Sequence, residues 1–402
     1  MRKGSQLLWA LSALLCLGLV FSSKGSLEAE KPTVPASGSL AGWQWADVGD
    51  LNDARELPRL ATWAGGVIIV GGGSEMRATA LDTTEIFDRQ THKWRPGPQL
   101  RHARRDAEVV KLNDGRLLAI GGSEGPTRTG SPYVEAMDPT SNTWAEFPSM
   151  SDARIGHTAV LLQDGRLFVA GGQSRPDTYL ATAEIVDPRD SHPHWKPVPS
   201  MKEPRSVHHA RLLGDGRVIV IGGGTDSSAT DTVEIFDPKT EVWKSAASMK
   251  EPRWGFASAV MADGRVMVAG GRVPARKAAT LPDDKLVILR GVEIYDPAAD
   301  SWSDGPVLNT ARTMGLPNVD LIKLKNGRLL FVGGRSYPAP YHGVASAEMF
   351  APTLNRWVMI PKLSTARSYQ ASILLPGGEI LVAGGRGPQF LPLKKAECFE
   401  KH

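Results

Sequence analysis

Two cysteines among 402 residues leave almost nothing to cross-link. Cys16 lies inside the N-terminal apolar run, so a chain cleaved after that run keeps only Cys398 and forms no internal disulfide; a domain this long buries enough surface without one. Charge of one sign is also missing. Forty-seven basic against 43 acidic residues leave a formal net charge of +4, two units of which come from Arg2 and Lys3. So even a balance gives no footprint for nucleic acid, and none is expected as a partner. Long hydrophobic runs are confined to Leu7–Phe21, 15 residues against the roughly 20 needed to span a bilayer as a helix. Preceded by Arg2 and Lys3 and followed by Ser22 and Ser23, that run predicts a secretory signal peptide over residues 1–23. Leu15, ahead of Cys16, is not the small residue a lipid-attachment site wants. A mature chain without a membrane span is expected, secreted to the periplasm or the exterior, with residues 24–42 as a flexible lead-in rich in Ser, Pro, Glu, Lys and Gly.

What the chain has instead is repetition. Seven times a tryptophan is followed ten positions later by an arginine: Trp45/Arg55, Trp94/Arg104, Trp144/Arg154, Trp195/Arg205, Trp243/Arg253, Trp302/Arg312 and Trp357/Arg367. A turn glycine follows (Gly66, Gly115, Gly165, Gly216, Gly264, Gly327, Gly378), and six residues later a Gly-Gly pair begins, at Gly72, Gly121, Gly171, Gly222, Gly270, Gly333 and Gly384. A period near 50 residues with this punctuation predicts one repeat architecture over residues 43–402. The third unit shows the plan: His157-Thr-Ala-Val-Leu-Leu, Asp164-Gly165-Arg166, then Leu-Phe-Val-Ala before Gly171-Gly172. Two apolar runs about Asp-Gly make a tight hairpin, and their lack of alternation implies that both faces are covered. Ala183-Glu-Ile-Val and the strand carrying Trp195 complete four antiparallel strands. Such a sheet cannot bury its own faces, so seven of them are expected to close into a ring. The last unit stops before any tryptophan, while the first tryptophan segment has no strands before it, so the N-terminal strand is expected to complete the last blade.

Gly-Gly after strand 2, Glu-Ile-Phe/Tyr-Asp-Pro in strand 3 and Trp in strand 4 resemble the kelch repeat, and secreted bacterial kelch proteins of the galactose-oxidase-like kind in particular. The resemblance implies an all-β, seven-bladed kelch-type β-propeller. Function it leaves open, because kelch propellers act as enzymes, sugar binders and protein-binding platforms.

Each unit also carries a glutamate before strand 3, from Glu85 to Glu397. Seven arginines facing seven glutamates are expected to pair at blade junctions, since a junction recurs seven times and a ligand does not. The tryptophans are assigned to packing and the glycines to backbone geometry; no phosphate loop is expected, for no helix follows them. Function is expected where the symmetry breaks, on the face carrying the 2–3 loops and the 4–1 links. There the residue after Gly-Gly is Ser74, Ser123, Gln173 or Gly224 in four blades but Arg272, Arg335 and Arg386 in the other three, a clamp for carboxylate, sulfate or phosphate. Blade five has a longer 2–3 loop with Arg276 and Lys277. The blade-six loop holds Tyr337, Tyr341 and His342, groups suited to stacking on sugars or anchoring a protein. Trp254, directly after Arg253, either lines the pocket or plugs the channel, and Tyr369 completes the candidate set.

His157 and His208 share a register, but a third ligand is not evident and no metal is expected. Copper-radical chemistry of the galactose-oxidase kind is disfavoured: of the seven positions two residues after the repeat arginine (Leu57, Asp106, Gly156, Val207, Gly255, Met314, Tyr369) only Tyr369 fits that family, and Gln370 stands where it has histidine. No nucleophile elbow supports a Ser-His-Asp enzyme, and no cofactor is expected. The leading expectation is an exported, monomeric binding module for a glycan or protein partner. The alternative is a metal-independent carbohydrate-active enzyme of the mutarotase or epimerase kind, with Glu124, Asp177 or His342 as acid or base. A deep pocket holding a carboxylate would favour the enzyme, a broad shallow basic surface the binder.

Overall fold

Apolar runs separated by Asp-Gly turns become hairpins where the sequence places them. The computed structural model describes residues 41–63, 66–74, 79–125, 127–225, 228–274, 286–314, 320–336 and 343–401. In the third blade Thr158–Leu161 pairs with Leu167–Ala170. Gly165 in the turn between them has φ +88°, a left-handed conformation that reverses the chain in a few residues. Ala183–Val186 and Lys196–Val198 extend the sheet to four antiparallel strands in sequence order. Seven four-stranded sheets are built this way. In the seventh, Ala371–Leu374, Ile380–Ala383 and Leu393–Lys401 are joined by Trp43–Arg55, with Trp43 opposite Lys401. The N-terminal strand therefore completes the last blade.

The core lies between blades. Second strands such as Leu167–Ala170 and Val218–Ile221 are buried throughout because a neighbouring sheet covers each face. The buried apolar side chains form seven clusters, each shared by two adjacent blades. One of them packs Val48, Leu51 and Leu381 of the last blade against Val67, Ile69 and Phe87 of the first. Seven junctions among seven blades close the ring.

The repeated charges belong to those junctions. Each repeat arginine sits in the link entering a blade and is at most 1% exposed. Arg154 Nη2 reaches Glu184 Oε1 at 3.0 Å, and its Nη1 donates to the carbonyls of Gly171 and Thr182. Glu184 also accepts the backbone N–H groups of Ser151 and Asp152. The same Arg–Glu contact recurs from Arg55–Glu85 to Arg367–Glu397 at 2.5–3.0 Å. Arginine, glutamate and Gly-Gly are thus three parts of one device, and the tryptophans seal it from outside: the indole N–H of Trp195 donates to the Pro148 carbonyl of the preceding blade link.

Glycine is required at the first position of the pair. Gly171 has φ +63°, and a Cβ there would stand 2.6 Å from the carbonyl oxygen of Arg205. Gly171→Ala is expected to cost about 1–3 kcal/mol for the left-handed backbone alone, with the clash added, measurable by thermal or urea unfolding; unchanged stability would contradict this packing.

Blade one corrects the sequence reading. Its glycine pair is Gly71-Gly72, not Gly72-Gly73: Gly71 has φ +58°, and the Gly71 carbonyl takes the Arg55 guanidinium. The residue after the pair is therefore Gly73, which bridges Glu56, and not Ser74. Gly66 lies in the strand Gly66–Val70 rather than at the turn. A run of three glycines hid a hairpin one residue shorter than its neighbours.

Candidate functional site

Two short pieces of backbone bring the unsymmetrical residues together. The residue after each repeat arginine forms an isolated antiparallel bridge with the residue after Gly-Gly in the same blade, so Trp254 meets Arg272, Thr313 meets Arg335 and Ser368 meets Arg386. The next residue turns the chain into the first strand, and in six of seven blades it has a left-handed backbone: Leu57, Asp106, Gly156, Val207, Gly255 and Tyr369, with φ between 54° and 68°. For a β-branched residue such as Val207 that conformation is strained. Links between blades hold it in place: Leu57 N–H donates to the Tyr369 carbonyl, Asp106 N–H to that of Leu57, and Val207 N–H to that of Gly156. The result is a constriction ring around the axis.

Above this ring lies a cavity of about 180 Å³, smaller than the ~300–1,000 Å³ of most small-molecule clefts, so it suits one compact group rather than an extended ligand. Leu57, Asp106, Val207 and Tyr369 line it together with Trp254, Arg272, Arg335 and Arg386. Arg335 donates to the Tyr369 hydroxyl, and the Arg335 and Arg386 guanidiniums lie 5.4 and 5.2 Å from the Tyr369 ring centre. Arg272 stacks over the Trp254 indole at 5.2 Å. Arg105 and Arg128 also line the cavity, giving, among the described residues, five guanidiniums against two carboxyls, Glu56 and Asp106.

The carboxyls differ. Glu56 is buried and accepts a two-point ion pair from Arg386 Nε and Nη2, across the closure between the last blade and the first. Asp106 is 2% exposed; its Oδ1 finds no hydrogen-bond partner among the described residues, and Arg59 Nη2 stays 3.9 Å away. Burial pushes the Asp106 carboxyl up to about 7, with the nearby arginines pulling the other way and Glu108 adding to the rise.

Of the residues singled out from sequence, Arg272, Arg335, Arg386, Trp254 and Tyr369 meet at this cavity. Tyr337, Tyr341 and His342 lie outside the described residues, as do Arg276 and Lys277. Leu286–Ile288, at the far end of the blade-five loop, folds back on Arg272–Pro274 as a small hairpin. The proposed acid and base groups are elsewhere: Glu124 bonds the Ser131 hydroxyl, and Asp177 sits at a hairpin tip between Arg175 and Thr178. Glu56 and Asp106 were missed. The available signal was that Asp106 is the one charged residue among the seven that follow the repeat arginines by two.

His157 and His208 are buried just before the first strands of their blades, and desolvation holds both below the usual imidazole range. His208 Nε2 bonds the Thr158 hydroxyl, which makes it a packing group. Cys398 is paired within the last blade opposite Ala46 and Leu381, its thiol pushed up to about 12 by burial.

Comparison with known proteins agrees with the architecture. A family model described as the KLHDC2/KLHL20/DRC7 Kelch-repeats domain matches residues 59–271 and 107–334. An F-box/kelch-repeat protein of Arabidopsis thaliana is 34% identical over 83 residues, 18% of this chain and 17% of that protein. The tRNA wybutosine-synthesizing protein 4 of Saccharomyces cerevisiae is 36% identical over 69 residues, 17% of this chain and 10% of that protein. The matched stretches thus span less than a fifth of these relatives. The solved structure of YjhT superposes with a TM-score of 0.53 at 14% identity, covering 86% of this chain and 95% of that one, a likeness of fold.

Proposed function

Because the chain belongs to the kelch-repeat family, whose propellers are suited to binding, we propose that this one is an exported, monomeric binding module whose cavity takes the acidic terminal group of a glycan. One observation carries this reading: among the described residues, five guanidiniums against two carboxyls line a compact cavity flanked by two aromatic rings. Arginine suits this task because its planar fork matches carboxylate and sulfate oxygens two at a time. Aromatic faces offer apolar surface to a sugar ring. Export rests on the pattern of residues 1–23.

Methyl β-D-glucuronide, a carboxylate at the end of a sugar, is the direct probe, with methyl β-D-glucoside as its neutral isostere. Wild type is expected to bind the first at least ten-fold more tightly in calorimetry or NMR titration. The Arg272→Ala/Arg335→Ala variant is expected to lose about ten- to hundred-fold in affinity, since a charge-assisted hydrogen bond contributes about 1.5–3 kcal/mol. Arg386 is left in place, because its removal would strand the buried Glu56 and confuse binding with stability. Equal affinity for the two glycosides, or for the two proteins, would sink the reading.

A second reading, a metal-independent carbohydrate enzyme, is favoured by the two buried carboxyls of the cavity, Glu56 and Asp106. The same NMR titration, run with free glucuronate, reports it as accelerated interconversion of ligand signals; unaltered ligand exchange rules it out for that sugar.

A further inference from the structure

Two buried polar atoms at the cavity lack partners among the described residues: Asp106 Oδ1, an acceptor when ionised, and the Trp254 indole N–H, a donor. Buried polar atoms are normally satisfied, and two residues of one cavity that each carry an unpaired one point to a ligand that completes both. An oxyanion satisfies Trp254 and the guanidiniums at once. It cannot satisfy an ionised Asp106, whose carboxylate would face it charge to charge. If Asp106 carries a proton, the conflict ends: the carboxylic acid becomes one more donor, and Arg335, Trp254 and Asp106 offer a consistent set of hydrogens to a carboxylate or sulfate. The Tyr369 hydroxyl, whose oxygen already accepts from Arg335, has its own proton left to give.

We propose that Asp106 determines the specificity of this cavity by exchanging a proton: a small oxyanion is taken up together with one proton from solvent, which adds to the Asp106 carboxylate and lets it donate a hydrogen bond to the ligand. This rests on the anion-binding reading and goes beyond it by coupling binding to pH.

The groups around Asp106 make the coupling workable. Arg59 and Glu108 face it from the inner strands beneath, where they pair with each other at 3.1 Å. Arg105 and Arg128 act from the mouth side. Glu56 and Arg386 neutralise one another on the adjoining link, and His157, just before the strand Thr158–Leu161, is kept neutral by burial. Burial brings Asp106 itself up to about 7, so the proton is available near neutrality. A bound anion raises that value further. Anion affinity is therefore greatest below about 7, falls as pH rises through the free protein's value by at most about ten-fold per pH unit for one proton, and levels off above the bound value.

The test is calorimetric titration of the whole protein with methyl β-D-glucuronide between about pH 5.5 and 8.5, where the ligand's own carboxyl stays ionised. Wild type is expected to lose at least ten-fold in affinity across that range. Asp106→Asn is expected to hold one affinity throughout, within a few-fold of wild type at the acid end. It removes a buried charge and is expected to melt no lower than wild type at the alkaline end. A second measurement needs no variant: titration of wild type near pH 7.5 in Tris and in imidazole, buffers without oxyanions that differ in ionisation enthalpy, should show net uptake of up to one proton per glucuronide bound. A wild-type affinity that is flat with pH, zero proton uptake, or an equally steep pH dependence in Asp106→Asn would overturn the proposal while leaving the anion pocket standing. No binding of the glucuronide by wild type at any pH would overturn the pocket reading and the proposal with it.

Discussion

Arg154→Ala is expected to destabilise the propeller by about 3–5 kcal/mol, which for a chain of this size lowers the melting temperature by roughly 4–7 °C. The reason is the charge left behind. Glu184 is 1% exposed, and without the guanidinium its carboxylate keeps only the N–H groups of Ser151 and Asp152. The carbonyls of Gly171 and Thr182 lose their donor as well. Two controls give the number meaning. Arg189→Ala breaks a pair with Asp187 in which the arginine is 59% exposed, and should leave the melting temperature almost unchanged, because solvent screens an exposed pair. Arg154→Met combined with Glu184→Leu removes both charges and should recover most of the loss, because an apolar pair of similar volume often replaces a buried ion pair without penalty. Differential scanning calorimetry reads all three. An Arg154→Ala melting temperature within a degree of wild type would mean that the repeated arginines are not structural.

Removal of residues 41–55 is expected to abolish cooperative folding. The last sheet would keep three strands, exposing the hydrogen-bonding edge of Leu393–Lys401 to solvent and to other chains. Val48 and Leu51 would leave the core between the last blade and the first, at about 1.5–3 kcal/mol each. Glu85 would lose Arg55, about 3–5 kcal/mol more. Together these losses rival the ~5–15 kcal/mol that holds a folded domain. Circular dichroism and size-exclusion chromatography should show an expanded or aggregated chain. Because Trp43 stands opposite Lys401, moving the strand to the C-terminus through a short turn restores the hairpin, and this permuted chain is expected to fold as the wild type does. A truncated protein that melts sharply near the wild-type temperature would show that the ring does not depend on this closure.

Much of this was legible in the sequence because propeller junctions repeat. Trp144, Arg154, Glu184 and Gly171 each have seven counterparts in the same order, the tryptophan always ten residues before the arginine, and only a structural unit recurs so. Closure by the N-terminal strand followed from Trp45 having no strands before it. The functional mouth was half legible. Arg272, Arg335 and Arg386 stood out by breaking the repeat. Asp106 broke it too, yet Arg104-Arg105-Asp106 reads in one dimension as a solvated charged stretch. What distinguishes it is that the fold buries this carboxyl at the cavity, at a left-handed turn it shares with five of its six counterparts. Glu56 was hidden for a related reason: its partner Arg386 is 330 residues away, and the pair exists only because the ring closes between them.

The arginines fall into two populations, the recurring ones at blade junctions and the unrepeated Arg272, Arg335 and Arg386 at the cavity proposed to take the ligand. Thermal melting of wild type and Arg272→Ala/Arg335→Ala, each with and without saturating methyl β-D-glucuronide, tests that division most directly. Wild type should gain stability with ligand, about 2.7 kcal/mol at a hundred-fold excess over Kd, while the variant melts near the wild-type temperature without ligand and gains almost nothing from it. A variant that collapses as Arg154→Ala does, yet retains the ligand-induced gain, would contradict the division.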